Sequence, residues 1–301
     1  MIAKSFLAGL SLLALAACTE NPVDSSANPS WSGAVARVAP AVYCLGFIED
    51  GVLIEVATGF AIGPNVIATN GHVVRGLEQV RAFYSDTVKL VAVVNGGNVT
   101  TGQGVHELNL YAVHPDYNEE AEIESFDLAL VTTKTPLPAT VTFESSAAAL
   151  ALAPGDAVAT IGFPGELEML YELYPVASFK DGTISALRSL NGAAPTPANR
   201  YFVQHNLNLS GGTSGSPIFN QAGNVVAVNN SGVVTTICID DLNCTTIPGA
   251  LGFGIRADGF GPVMSESRLR FSDIEYVGNS DFSSPGPVVE RLIARRASQN
   301  L

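Results

Sequence analysis

Basic residues are scarce in this chain. Only 15 Lys and Arg stand against 28 Asp and Glu, for a formal net charge of −13. Binding a nucleic acid takes clusters of cations that neutralise phosphates, and the sequence has no such cluster outside its last residues, so no nucleic-acid partner is expected. Charged residues of both signs make up only 14% of the chain against 47% hydrophobic residues. That balance excludes global disorder and allows a large core. Long apolar runs are missing, with one exception. Phe6 to Ala17 is uncharged and apolar and follows Lys4. It falls short of the roughly 20 residues that span a bilayer, and its basic start and short length read as a signal peptide over 1–17.

That run ends in Leu15-Ala16-Ala17-Cys18. The small residues before the cysteine resemble a bacterial lipobox, in which the cysteine is lipidated and becomes the first mature residue. The alternative is an ordinary secretory leader that happens to contain a cysteine. On the lipobox reading the protein is exported and anchored to a membrane through Cys18. Thr19 in place of Asp favours the outer membrane, facing the periplasm or the cell surface. Residues 18–32, rich in Asn, Ser, Pro and Asp, read as a flexible tether.

Cysteine is also sparse, at four. Export implies an oxidising compartment. Cys238 and Cys244 bracket a short polar loop and are expected to form a disulfide closing a hairpin. Cys44 lies in an apolar run and is expected as a buried thiol outside any bridge, intermolecular pairing being the alternative. No cysteine or histidine spacing resembles a zinc site. Asp240, Asp241 and Asn243 lack calcium-loop spacing, so neither metal nor other cofactor is expected.

Long helical periodicity is not evident. Short runs rich in Val, Ile, Phe and Tyr recur at 42–48, 52–56, 58–63, 79–84, 87–94 and 126–132, then at 156–162, 201–206, 216–220, 224–229, 233–239 and 251–256. Gly, Asn, Asp and Pro break them. Such spacing predicts an all-β sandwich or barrels. The Pro- and Ala-rich stretch 136–154 separates two β-units, read as 33–140 and 141–262. Residues 263–301 form a tail. Within it, Val288, Val289, Leu292 and Ile293 share one face, which predicts a short C-terminal helix docked on the body.

Three segments carry chemistry: Thr69-Asn70-Gly71-His72-Val73-Val74, Phe126-Asp127-Leu128-Ala129-Leu130-Val131, and Gly211-Gly212-Thr213-Ser214-Gly215-Ser216-Pro217. Each alone has a bland reading: a turn histidine, a capping aspartate, a glycine-rich loop. Together their order His…Asp…Ser is that of the chymotrypsin type, and differs from that of subtilisins and α/β-hydrolases. The chain resembles the trypsin-like clan, and within it the bacterial HtrA-type proteases and glutamyl endopeptidases. The resemblance rests on residues 58–74, 113–118, 127–131, 211–232 and 251–255, and covers about 33–260 in order.

The resemblance implies two six-stranded antiparallel β-barrels with the site between them. His72, Asp127 and Ser214 would be the catalytic triad of a serine endopeptidase acting on protein or peptide substrates. His72 would be the general base, Asp127 its orienting partner and Ser214 the nucleophile. Ser216 is the alternative nucleophile, disfavoured by the tight glycine turn at Ser214. The backbone N–H groups of Gly212 and Ser214 would form the oxyanion hole, and Asn208, Asn229 and Ser231 the specificity pocket. His106, His114 and His205 are expected in surface or structural roles.

The chain also departs from its relatives. Digestive members carry Asp before the nucleophile, where it pairs with a new N-terminus; Thr213 stands here, so activation by that route is not expected. Glutamyl endopeptidases have His where Asn229 stands, so preference for Glu is not supported. About 40 residues after the last strand are too few for a PDZ domain, and none is expected. Two other readings share these residues: an inactive lipoprotein that uses the fold as a binding module, and an esterase on the same site.

Overall fold

The computed structural model describes residues 30–271, except 85–86, 122–124, 171, 191, 208–209, 239–243 and 266–267, and describes the backbone alone at 168–169, 233–238, 244–248, 250 and 265. The described residues from Trp31 onward form one unit.

The first half is a closed sheet of six antiparallel strands: β1 (Val42–Glu49), β2 (Val52–Gly63), β3 (Val66–Thr69), β4 (Lys89–Asn98), β5 (Gln103–Val113) and β6 (Ala129–Thr133). Their order β5-β4-β1-β2-β3-β6 closes through β5–β6 pairing. After the two-residue strand β7 (Thr142–Phe143), the second half repeats the plan with β8 (Ala157–Gly162), β9 (Ser178–Arg188), β10 (Phe202–His205), β11 (Pro217–Phe219), β12 (Asn224–Cys238) and β13 (Cys244–Arg256). The order β11-β8-β9-β10-β13-β12 closes through β11–β12, with β7 parallel on β12. A last short strand, β14 (Leu269–Arg270), returns to the first barrel and pairs with β5. Two six-stranded antiparallel barrels are therefore present, as expected.

Closure leaves each barrel without a long free edge, and alternate residues fill the interiors. One apolar cluster joins the barrels: Val42, Cys44, Phe60 and Leu128 from the first pack with Ile161, Phe163, Phe219 and Val228 from the second. Cys44 is fully buried, as read from its surroundings. Among the described residues Arg256 is the largest fully buried side chain. Its guanidinium grips Asp258 at 2.7 and 3.0 Å, donates to the Pro197 carbonyl at 2.9 Å, and lies 4.5 Å over the Tyr201 ring.

Several expectations change. Residues 79–84 are not a strand but the end of a helix, Gly71–Tyr84. Its buried Val73, Val74, Leu77, Val80 and Tyr84 follow helical spacing, so a helical period was present after all. The other described helices are short: Ser32–Val38, Ser146–Ala151 and Phe260–Ser265. We number the four α1 to α4 in chain order, Gly71–Tyr84 being α2. Ser145 caps α3 by accepting the Ala148 N–H, within the stretch read as the boundary between the two β-units. Runs 52–56 and 58–63 are one strand, and 224–229 joins 233–238 in another. Trp31, assigned to the tether, packs on Phe179 and Phe219 at ring distances of 6.3 and 6.0 Å. The signal peptide, Cys18 and the helix expected near 288–293 lie outside the described residues.

Candidate active site at the seam of the barrels

β3 ends at Thr69, and α2 begins two residues later, so His72 stands in the first turn of that helix. Asp127 lies just before β6, which pairs with β3 through Thr69–Ala129. The strand pairing thus brings together residues 55 positions apart. Asp127 Oδ2 meets His72 Nδ1 at 2.5 Å, and Oδ1 accepts the His72 backbone N–H at 2.9 Å. Fully buried Asn70 donates to the Asp127 carbonyl at 2.8 Å. Ring and backbone of the histidine are therefore both tied to one carboxylate, which is itself buried. A carboxylate only accepts, so the proton belongs on Nδ1 and leaves Nε2 as a base. Burial disfavours the imidazolium, but the charge of Asp127 and its hydrogen bond outweigh this, and the His72 pKa lies above the ordinary value.

Ser214 lies in the loop between β10 and β11. The loop folds on itself: Thr213 donates to the Ser210 carbonyl through N–H at 3.2 Å and through its hydroxyl at 2.6 Å, and Ser216 N–H donates to the Thr213 carbonyl at 3.1 Å. Gly212 and Gly215 have φ of +87° and +81°, which favours glycine. A Cβ at Gly215 would meet the Thr58 carbonyl oxygen at 2.2 Å. The Ser214 hydroxyl donates to the Asn230 carbonyl at 3.3 Å. Among the described residues no hydrogen bond joins it to His72, and none uses the N–H of Gly212 or Ser214. Catalytic hydrogen bonds without substrate are commonly open in this way.

Thr58, from the first barrel, clamps this loop. Its N–H donates to the Ser214 carbonyl and its hydroxyl to the Gly212 carbonyl, both at 2.9 Å, while that hydroxyl accepts the Phe163 N–H at 3.0 Å. Thr69 closes the set by donating to the Thr58 carbonyl at 2.9 Å. Neither Thr58 nor Asn70 stood out in the sequence, although both lie inside the stretch 58–74. Glu55 was missed as well. Its carboxyl is buried, and a Cβ at Gly212 would lie 2.3 Å from Oε1. A carboxyl group thus sits against the glycine assigned to the oxyanion hole.

Of the pocket residues, Asn208 lies outside the described residues. Asn229 is buried and spends its amide on the loop, donating to the Thr213 carbonyl at 2.8 Å and to its hydroxyl at 3.3 Å. It braces the nucleophile segment from behind and does not present that amide group to an open pocket. Ser231 is half-buried on β12. His205 is fully buried, and burial lowers its pKa to about 4. His114 stacks on Phe126 at 4.4 Å, and His106 contacts the Thr135 hydroxyl at 2.8 Å. His114 also flanks the site, its backbone N–H donating to the Leu128 carbonyl next to Asp127 at 2.9 Å. The side chain of Ser216 is fully buried, unlike Ser214. Cys238 and Cys244 face each other in the β12–β13 register, while their side chains lie outside the description. Among the described residues no His, Cys, Asp and Glu cluster suits a metal ion, and no helix is long and apolar enough to cross a membrane.

Two closed barrels, with a His–Asp pair on one and a glycine-turned serine loop on the other, define the chymotrypsin-like class of fold. Residues 57–228, more than half of the chain, match the trypsin-like peptidase domain model, and the chain belongs to that family. Among solved structures it is similar to the HtrA-type protease AlgW with decapeptide (19% identity, 76% of this chain and 64% of that one, TM-score 0.48). It is similar also to AlgW with tripeptide (21%, 76% and 60%, 0.46). A third is the serine endoprotease from Yersinia pestis (20%, 76% and 63%, 0.47). The chain spans about three fifths of the length of these proteins. No curated protein matches it.

Proposed function

We propose that the protein is a serine endopeptidase that cleaves protein or peptide substrates through an acyl-enzyme on Ser214, exported and lipid-anchored at Cys18. The observation that carries the reading is the double tie of His72 to Asp127, set on the barrel that also clamps the Ser214 loop through Thr58. His72 Nε2 takes the hydroxyl proton as Ser214 Oγ bonds to the scissile carbonyl carbon. The carbonyl oxygen becomes an oxyanion beside the N–H groups of Gly212 and Ser214. His72 then returns the proton to the leaving amine, and water repeats the cycle on the acyl-enzyme. Asp127 stabilises the imidazolium that each step creates.

Labelling with a fluorophosphonate tests this, read by intact and peptide mass, with Ser214→Ala as control. One adduct on Ser214, lost in the variant, is the expected result. No adduct on folded protein would overturn the enzymatic reading and leave the fold as a binding module. A peptide-and-ester panel separates endopeptidase from esterase. The anchor rests on the leader and its lipobox-like end. Metabolic labelling with a fatty acid should be lost in Cys18→Ala; unchanged labelling would remove Cys18 as the attachment point.

A further inference from the structure

Asp127 is closed off while its partner is partly open: the side chain of His72 is 42% exposed and that of Asp127 only 6%. Two N–H groups of His72 hold this carboxylate, and Tyr117 stands beside it across Gly71. A Cβ built on Gly71 would lie 3.0 and 3.1 Å from Cγ and Cδ1 of the Tyr117 ring, and 3.1 Å from Asp127 Oδ1. Ring and carboxylate oxygen thus flank one spot that only a glycine leaves free. Gly71 is buried and Tyr117 half-buried. Burial first, and the charge of Asp127 next, push the Tyr117 hydroxyl above its ordinary pKa. The turn that carries the ring hangs on the residues either side of Asp127. His114 N–H donates to the Leu128 carbonyl, and the His114 ring stacks on Phe126 at 4.4 Å. Tyr117 N–H donates to the His114 carbonyl at 2.9 Å, and Asp116 N–H to His114 Nδ1 at 3.0 Å. Farther on, Glu119 reaches Arg75 at 3.8 Å, three residues along α2 from His72. That pair is exposed and adds little, so the backbone turn places the ring.

We propose that Tyr117 is a positioning residue, whose ring keeps water off the Asp127 carboxylate and so keeps His72 bound to it. Its part in catalysis rests on the peptidase reading; the seal itself does not. The attraction between two charges falls as the effective dielectric around them rises. A carboxylate oxygen open to water also shares its lone pairs with that water, at the expense of the His72 N–H groups. Opening the seal acts on His72 in two ways of opposite sign. Weaker attraction to Asp127 lowers its pKa, and easier hydration of the imidazolium raises it. His72 is already partly open and Asp127 is not, so the first outweighs the second. Among the described residues the charges that bear on the ring are Asp127, Glu119 and Arg75. His114 and Asp116 share its turn, and Glu78 with Tyr111 lies beyond Arg75. Truncating the ring alters none of these groups.

The test is the pH titration of the His72 ring by NMR in the full chain, compared with Tyr117→Ala and Tyr117→Phe. The chain has four histidines, and His72→Gln assigns the signal. Tyr117→Ala should lower the His72 pKa by about half a unit or more. Tyr117→Phe, which keeps the ring, should restore the wild-type value. In peptidase assays of Tyr117→Ala the acid limb of kcat/KM should move down by the same amount, and kcat should fall about tenfold with KM nearly unchanged. Urea unfolding checks the fold. Tyr117→Leu, which keeps apolar bulk, stands in where the alanine variant does not fold, and should give a smaller shift of the same sign. An unmoved His72 pKa in the folded variant overturns the proposal. So does a raised KM at unchanged kcat, which would make Tyr117 a wall of the substrate cleft and not a support for Asp127. A chain that takes no fluorophosphonate label still gives the titration, so the seal and the peptidase reading fail separately.

Discussion

Thr58→Val tests whether the first barrel holds the nucleophile loop in place. The substitution keeps the shape of a fully buried β-branched side chain and removes only the hydroxyl. Two bonds go with it: the donation to the Gly212 carbonyl at 2.9 Å and the acceptance of the Phe163 N–H at 3.0 Å. A buried polar group left without a partner costs about 1–3 kcal/mol. Two such groups give a loss of about 2–6 kcal/mol in folding stability, read from the midpoint of urea unfolding. The catalytic effect is separate. Freed from Thr58, the Gly212 carbonyl no longer fixes the peptide beside the oxyanion donors. Misplacing one donor costs about 100- to 1,000-fold in kcat. Peptidase assays of the folded variant should show reduced kcat with KM nearly unchanged. Thr58→Ser, which keeps the hydroxyl, should recover most of both. A Thr58→Val protein with the wild-type urea midpoint and kcat would refute the clamp.

Asp127→Asn should lower kcat about 10,000-fold, because the amide favours the wrong imidazole tautomer. The raised His72 pKa predicts the pH profile: only the neutral ring accepts a proton, so kcat/KM should fall as pH drops through a value above 6.5. A limb at or below 6.5 would contradict it. The sign for stability is opposite, since a raised histidine pKa favours folding below the unfolded pKa and the benefit is lost as pH rises through the folded one. Asp258→Ala strands the buried guanidinium of Arg256 and should cost about 3–5 kcal/mol in urea unfolding, with little change in kcat; an unaltered midpoint would show that the carbonyls and the Tyr201 ring suffice.

What the sequence made legible is what local chemistry dictates. Strand after strand of β-branched residues between turn formers announced an all-β sandwich or barrels, and the resemblance chose barrels. The triad segments were readable because a nucleophile turn needs glycine and the base needs histidine. α2 was obscured because Val80, Arg81, Ala82, Phe83 and Tyr84 look like a strand when taken without Val73 and Leu77. β5 and β9 escaped for different reasons. β5 shifts register between Leu108 and Tyr111, breaking its alternation. β9 carries Asp181-Gly182, an ordinary turn signal, in mid-strand, where a Cβ on the glycine would lie 2.3 Å from Asn206 Oδ1. The roles of Thr58 and Glu55 depend on a partner about 150 positions away. No local pattern encodes either.

Thr213 shows how such long-range pairing answers a question that local comparison raises. An Asp at this position needs an incoming amine to fix the loop, which makes activity conditional on cleavage elsewhere. Thr213 carries no charge and needs no counter-ion. Its hydroxyl donates to the Ser210 carbonyl at 2.6 Å and accepts from Asn229 at 3.3 Å, while its carbonyl takes the stronger Asn229 bond at 2.8 Å. Asn229 is itself fixed on β12, donating its N–H to the Ser216 carbonyl and accepting the Gly215 N–H, both at 2.9 Å. Every bond in this set joins uncharged groups inside the second barrel, and Thr58 adds the tie from the first. The loop is therefore held by the folded barrels themselves. On this reading the segment before Ser214 requires no processed terminus to take its shape, and its order should not depend on pH in the range where an amine titrates.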